Sequence, residues 1–204
     1  MRRGLLRCAL LFALAASAAA AQTRFTINWF RVAPDDEEFT VLFPDVNFRV
    51  RRELPFAEGV TLRPASFEIG NRGTLFSVLS FAKSERGTPE TLEGFVKGFR
   101  NALSKNGGGS PTGLQFVSES RLDGRAGQQF RLKVGGAEGS ARIYDAARHF
   151  YVVMALGEQG ASDEGKRERF QNSFALDKSA RERVPTGEEV DTTASLSTYN
   201  FALQ

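Results

Sequence analysis

Cysteine, histidine and tryptophan are nearly absent: the 204 residues contain one of each. Cys8 lies in an N-terminal stretch that reads as a removable leader, so the mature chain has neither a disulfide nor a thiol nucleophile. A zinc site lacks its thiolate and imidazole ligands. Any imidazole acid or base must be His149, which opens an apolar strand without an evident partner and reads as a structural or solvent-facing residue. Trp29, the one indole, offers little for a sugar-stacking cleft. No Asn-x-Ser/Thr sequon occurs, which leans towards a bacterial rather than a glycosylated secreted protein.

The common catalytic signatures are missing as well. There is no Gly-x-Ser-x-Gly elbow, no Gly-x-x-x-x-Gly-Lys-Ser/Thr and no Gly-x-Gly-x-x-Gly; the glycine clusters read as hairpin turns. Ser80-Phe81-Ala82-Lys83 matches Ser-x-x-Lys, but on a strand positions i and i+3 point to opposite faces. Its companion motifs are absent, so the match is coincidental. Asp35-Asp36-Glu37-Glu38 lacks the spacing and glycine of a calcium loop and reads as a solvated turn. A pair of carboxylates would suffice for glycoside hydrolysis, yet nothing singles out a pair. No residue is assigned a catalytic, cofactor-binding or metal-binding role.

What is present begins with residues 1–21. Arg2, Arg3 and Arg7 precede the apolar residues 9–16 (ALLFALAA), followed by Ser17, four alanines and Gln22. A positive start, a short apolar run and a small-residue junction define a secretory signal, cleaved here after Ala21. The apolar run is too short for a membrane span, which needs about 20 apolar residues, so no integral span remains after cleavage. Arg2-Arg3 also fits part of a twin-arginine signal, although an ordinary leader with two arginines is the preferred reading. Cleavage removes three arginines and no acid. Lys+Arg falls from 27 to 24, matching the 24 Asp+Glu, so the charge of +3 leaves with the leader. A nucleic-acid partner is excluded on that ground, because such domains carry net basic charge.

The remaining 204 − 21 = 183 residues suffice for one domain, since about 150 residues already bury about 70 % of the unfolded surface. Residues 22–176 form that domain. Phe39, Val41 and Phe43 alternate with polar or smaller neighbours, and Val46, Phe48 and Val50 alternate with Asn47, Arg49 and Arg51, giving one wet face. Arg49 and Arg51, with Arg63 and Arg72 nearby, read as a solvated face rather than a patch for an acidic partner. Residues 75–81 (LFSVLSF) read as a central strand covered on both sides.

A helix is expected next, with Thr88 as N-cap, Pro89 in the first turn and Leu92, Phe95, Val96, Phe99 and Leu103 on one face. Gly94 and Gly98 weaken it by about 1 kcal/mol each relative to alanine. Asp123-Gly124 marks a hairpin, residues 135–139 a glycine-rich turn, and residues 149–156 (HFYVVMAL) a buried strand. A short helix over residues 163–174 closes the domain through Phe170 and Phe174. Strands, helix, strands, helix without regular alternation predict an α+β fold with a mainly antiparallel sheet flanked by helices. Residues 177–204 read as a polar tail that ends in strand-like alternation, Leu196, Thr198 and Asn200 against Ser197, Tyr199 and Phe201.

Three segments carry a family resemblance. Phe39-Thr40-Val41-Leu42-Phe43-Pro44 is similar to an F-S-V-x-x-P opening. Residues 142–156 (RIYDAARHFYVVMAL) are similar to a polar strand followed by a Y-x-V-x-x-x-G-type strand, and residues 169–176 (RFQNSFAL) to a closing F-x-x-S-F helix. Together they resemble the PsbP-like group, which includes photosystem extrinsic subunits, DcrB-like bacterial envelope lipoproteins and a eukaryotic Ran-binding import factor. The resemblance implies an α/β/α sandwich used for binding or accessory roles without catalysis. This chain departs from the group's lipoproteins in lacking a cysteine at the cleavage junction. The resulting expectation is a non-catalytic, extracytoplasmic (periplasmic or secreted) protein that binds a protein or envelope component and takes no cofactor. The alternatives are a carboxylate-dependent hydrolase and a protein held at the membrane surface. A carboxylate pair in a deep cleft would favour the enzyme, and an open polar face beside the sheet the binder.

Overall fold

The computed structural model describes residues 28–51, 53–71, 73–106, 113–158 and 164–176. The expected leader, the loop over residues 107–112, Arg72 and the expected tail lie outside the described residues. Among the described residues eleven strands and two helices follow in order: β1 (Phe30–Val32), β2 (Val41–Phe43), β3 (Phe48–Arg51), β4 (Leu54–Ala57), β5 (Val60–Leu62), β6 (Ala65–Asn71), β7 (Thr74–Ala82), α1 (Leu92–Asn106), β8 (Gly113–Leu122), β9 (Arg125–Val134), β10 (Ala137–Asp145), β11 (His149–Glu158) and α2 (Glu164–Asn172). Seven of the strands make one antiparallel sheet in the order β3-β6-β7-β11-β10-β9-β8. This is the expected α+β architecture.

Period-two side chains divide between the two faces of the sheet. Leu79 and Phe81 of β7, Phe130 and Leu132 of β9, and Phe150 and Val152 of β11 join the core under α1. Phe95, Val96, Phe99 and Leu103 of α1 are buried there, and Leu92 packs against the same cluster, which is the face that the helical spacing selects. The hairpin β4-β5 sits beside the helix, with Phe56 and Phe95 ring centroids 5.2 Å apart. Gly98 makes this contact possible, because a Cβ there would lie 2.1 Å from the Phe56 ring.

The opposite face is covered by the hairpin β1-β2 and by α2, with Phe39, Val41, Phe43, Phe170 and Phe174 packed on Phe67, Phe76, Tyr151 and Val153. β7 and β11 contribute to both cores, as a strand covered on both sides must.

Local chemistry departs from the sequence expectation in three places. The cap of α1 is Thr91, whose Oγ1 accepts the Gly94 N–H at 3.1 Å, whereas Thr88 Oγ1 donates to the Ala82 carbonyl at 3.0 Å. Residues 88–91 are an approach to the helix, and the cap lies one turn later. At the entry to β3 the faces are reversed: Val46 and Phe48 are 50 % and 40 % exposed, while Asn47 is buried and Arg49 lies over the Phe67 ring, 5.2 Å from its centroid, whereas Arg51 is exposed as expected. β3 is an edge strand, where a long arginine stem covers an aromatic ring and still keeps its charge wet against Asp36, 2.5 Å away. The turn expected over residues 135–139 is only Gly135-Gly136, both at positive φ (56° and 89°), as a two-residue hairpin turn requires. Gly139 is instead inside β10, where a Cβ would lie 1.9 Å from the Ala155 carbonyl oxygen.

Candidate functional site

The face carrying α2 holds both groups of polar residues that stand out. The first lies where the segment between β1 and β2 crosses the ends of β7 and β11. Glu37 has the same parity as Phe39, Val41 and Phe43, so it points to the sheet with them and is 3 % exposed. Its Oε2 accepts hydrogen bonds from Ser80 Oγ at 2.6 Å and Tyr151 Oη at 3.0 Å. Tyr151 Oη in turn accepts the Glu38 N–H at 3.0 Å. His149 stands between the two acids, Nε2 3.9 Å from Glu37 Oε2 and Nδ1 3.7 Å from Glu38 Oε2. Arg148 closes the outer side, its backbone N–H and its Nε each 3.1 Å from a Glu38 carboxylate oxygen.

The acidic run is therefore not the solvated turn expected from sequence. Asp35 and Asp36 are exposed, but Glu37 is buried and Glu38 half-buried. Burial pushes the Glu38 carboxyl up, and the Arg148 hydrogen bonds and the neighbouring His149 outweigh it, holding the group below its ordinary value. Burial first, and then the Glu37 carboxylate, push the Tyr151 phenol well above the ordinary tyrosine range. Tyr151 is thus a neutral hydrogen-bond donor at every physiological pH. Glu37 spends its Oε2 on hydroxyls of the protein itself and is closed to solvent, a geometry that fastens the β1-β2 segment to the sheet.

Ser80 and Lys83, the Ser-x-x-Lys pair, diverge as their strand positions require. Ser80 joins Glu37, while Lys83 pairs with Asp145, donates to the Ala146 carbonyl at 2.7 Å and lies over the Phe150 ring. The arginines read as a solvated face form no patch among the described residues. Arg49 pairs with Asp36, and Arg63 with Glu53 at 2.8 Å. Among the described residues no group of three or more His, Cys, Asp and Glu converges as a metal site would.

The second group lies over β8, β9 and β10, a part of this face that β1, β2 and α2 leave uncovered. A cleft of about 690 Å³ runs between these strands and the flank of α2. Its floor takes the polar alternates of the hairpins: Gln115, Gln129, Arg131, Lys133, Ser140 and Arg142, with Arg167, Glu168 and Gln171 of α2 as its wall. The wall is fixed to the floor. Gln171 accepts from Ser140 Oγ at 2.9 Å and donates to the carbonyls of Ser140 and Val153, and Arg142 donates to the Gln171 carbonyl and to Asn172 Oδ1. Lys133 pairs with Glu138 at 2.8 Å. Gln115 and Arg131 are exposed. The cleft is open, polar and of mixed charge.

No family model matches the chain, and no curated protein matches it. Its structure is similar to that of cyanobacterial PsbP. The comparison, with the solution structure of the protein from Synechocystis sp. PCC 6803, gives a TM-score of 0.49 at 13 % identity, over 74 % of this chain and 94 % of the other. Among the described residues no helix is long and apolar enough to cross a membrane.

Proposed function

We propose that this chain is an exported, non-catalytic binding protein of the bacterial cell envelope, and that the cleft over β8, β9 and β10 is its binding face. The observation that carries the reading is the unequal cover of one sheet face. Aromatic and aliphatic side chains fill the half beneath β1, β2 and α2, while the other half presents glutamine, arginine and lysine side chains in an open cleft. An open surface of mixed charge with solvent-facing amides suits a polar partner surface. Export rests on the leader pattern in residues 1–21.

The test is a double variant, Gln129→Ala with Arg131→Glu, expressed with its leader in a bacterial envelope. Both positions lie on the cleft floor, so unfolding stability should stay within about 0.5 kcal/mol while the co-purifying partner is lost. Retention of the same partner at the same yield would refute the assignment of this face.

A second reading, a carboxylate-dependent hydrolase, draws its support from His149 standing between Glu37 and Glu38. It requires substrate to reach a carboxylate that is 3 % exposed. Glycoside turnover by the wild-type chain that disappears in Glu37→Gln, with folding retained, would favour it over the binding protein.

A further inference from the structure

We infer that residues 196–203 of this chain lie along the free edge of β8 and extend the sheet by one strand. This rests on the sheet edge and on the path of the chain, and is independent of the binding role proposed for the cleft. β8 is the outermost strand of the seven and runs for ten residues. One of its two rows of backbone N–H and C=O groups pairs with β9, and the other faces outward, a template for another strand. The edge carries apolar surface at its centre, where Phe116 and Val117 are each 48 % exposed. Phe116 pairs in register with the buried Phe130 and lies edge-on to it, with ring centroids 6.0 Å apart. The exposed ring is therefore the rim of the core beneath α1, and no described residue continues the core beyond it.

The chain leads to this edge. The backbone N–H of Leu176, the last described residue, donates to Asp123 Oδ2 at 2.8 Å, and Asp123 forms the turn at the end of β8. Residues 177–204 therefore start beside the edge strand. Between Leu176 and residue 196 stand 195 − 176 = 19 residues, which reach about 60 Å when extended, against about 33 Å for the whole of β8. The reach allows pairing in either direction.

The occupant has the required pattern. Tyr199, Phe201 and Leu203 fall at period two, so in a strand they share one face and can continue the core beyond Phe116. The opposite edge of the sheet, β3, is less suited: it offers four residues, two of them Arg49 and Arg51.

Residue-resolved amide exchange on the chain from residue 22 tests the proposal, comparing the full tail, a deletion of residues 196–204, and Phe201→Pro, which removes one ladder N–H without shortening the chain. The outward-facing amides of β8 should exchange at least about tenfold faster in both altered chains, with the inward-facing amides unchanged and all three chains monomeric. Fast exchange at the outward amides of the full-length chain overturns the proposal. Equal protection in all three chains overturns it too, by placing something else on the edge. Protection that appears only with dimer formation gives the edge to a second copy's tail, and the docking within one chain fails.

Discussion

Glu37 shows how much one side chain can commit a segment. Its carboxylate is 3 % exposed and accepts from two hydroxyls that are themselves buried. Glu37→Ala leaves Ser80 Oγ without its acceptor and Tyr151 Oη with only His149 Nδ1, 3.3 Å away, and should cost about 2–4 kcal/mol in chemical unfolding. Ser80→Ala removes one charge-assisted hydrogen bond and should cost about 1.5–3 kcal/mol. If neither variant moves the urea midpoint, the carboxylate does not fasten the β1-β2 segment. Glu38 gives a pH dependence of definite sign. Its folded carboxyl titrates below its ordinary value of 4.5, so its contribution is full above that pH and is lost as the pH falls through the folded value. Asp36 behaves alike: burial pushes it up, and the Arg49 hydrogen bond and charge outweigh that, holding it below 3.8. Stability should therefore drop as the pH is lowered from about 5 to 3, and the drop should be shallower in Glu38→Gln. An identical acid profile in that variant would exclude the Arg148 contact as its source.

At the scale of elements, α1 is held by what it touches. Its buried face is visible in the spacing of Leu92, Phe95, Val96, Phe99 and Leu103, and Phe99→Ala should cost about 3–5 kcal/mol in unfolding experiments. Gly98 makes a sharper test, since helix propensity and packing oppose each other there. Propensity alone predicts that Gly98→Ala gains about 1 kcal/mol. The Phe56 ring occupies the position that the new methyl needs, 2.1 Å away, so the variant should instead lose about 1–3 kcal/mol through overpacking. A stabilised Gly98→Ala would mean that β4-β5 yields to the helix. The hairpins were legible from sequence where glycine fixed them, at Asp123-Gly124 and Gly135-Gly136, because few other residues accept positive φ at both turn positions. β3 misled, because on an edge strand the side chains that alternate need not be the ones that bury.

For the whole molecule, export carries the largest consequence. If residues 1–21 are removed, intact-mass measurement of the envelope fraction should find Gln22 at the N-terminus and no cysteine in the product. A full-length product confined to the cytoplasm would remove both the localisation and the argument from neutral charge. The cleft and the β8 edge then become the surfaces that face the envelope, one polar and one expected to be covered by the tail.

The sequence by itself determined the fold class, the hairpin turns of the second half and the buried face of α1. Each follows from side-chain periodicity and from turn residues a few positions apart. It also carried a signal for Glu37, in phase with Phe39, Val41 and Phe43, which a reading of four consecutive acids as one solvated turn passes over. Only the tertiary structure decided that Ser80, Tyr151 and His149 meet this carboxylate, since Ser80 lies 43 residues from Glu37 and Tyr151 lies 114. It decided equally that, among the described residues, half of one sheet face stays open as a cleft. The alternation of Gln129, Arg131 and Lys133 marks a wet face, but which strands lie beside it, and whether a helix covers it, depends on strand order across the sheet. No local pattern encodes that order, because it is set by which long-range pairings bury both cores at once.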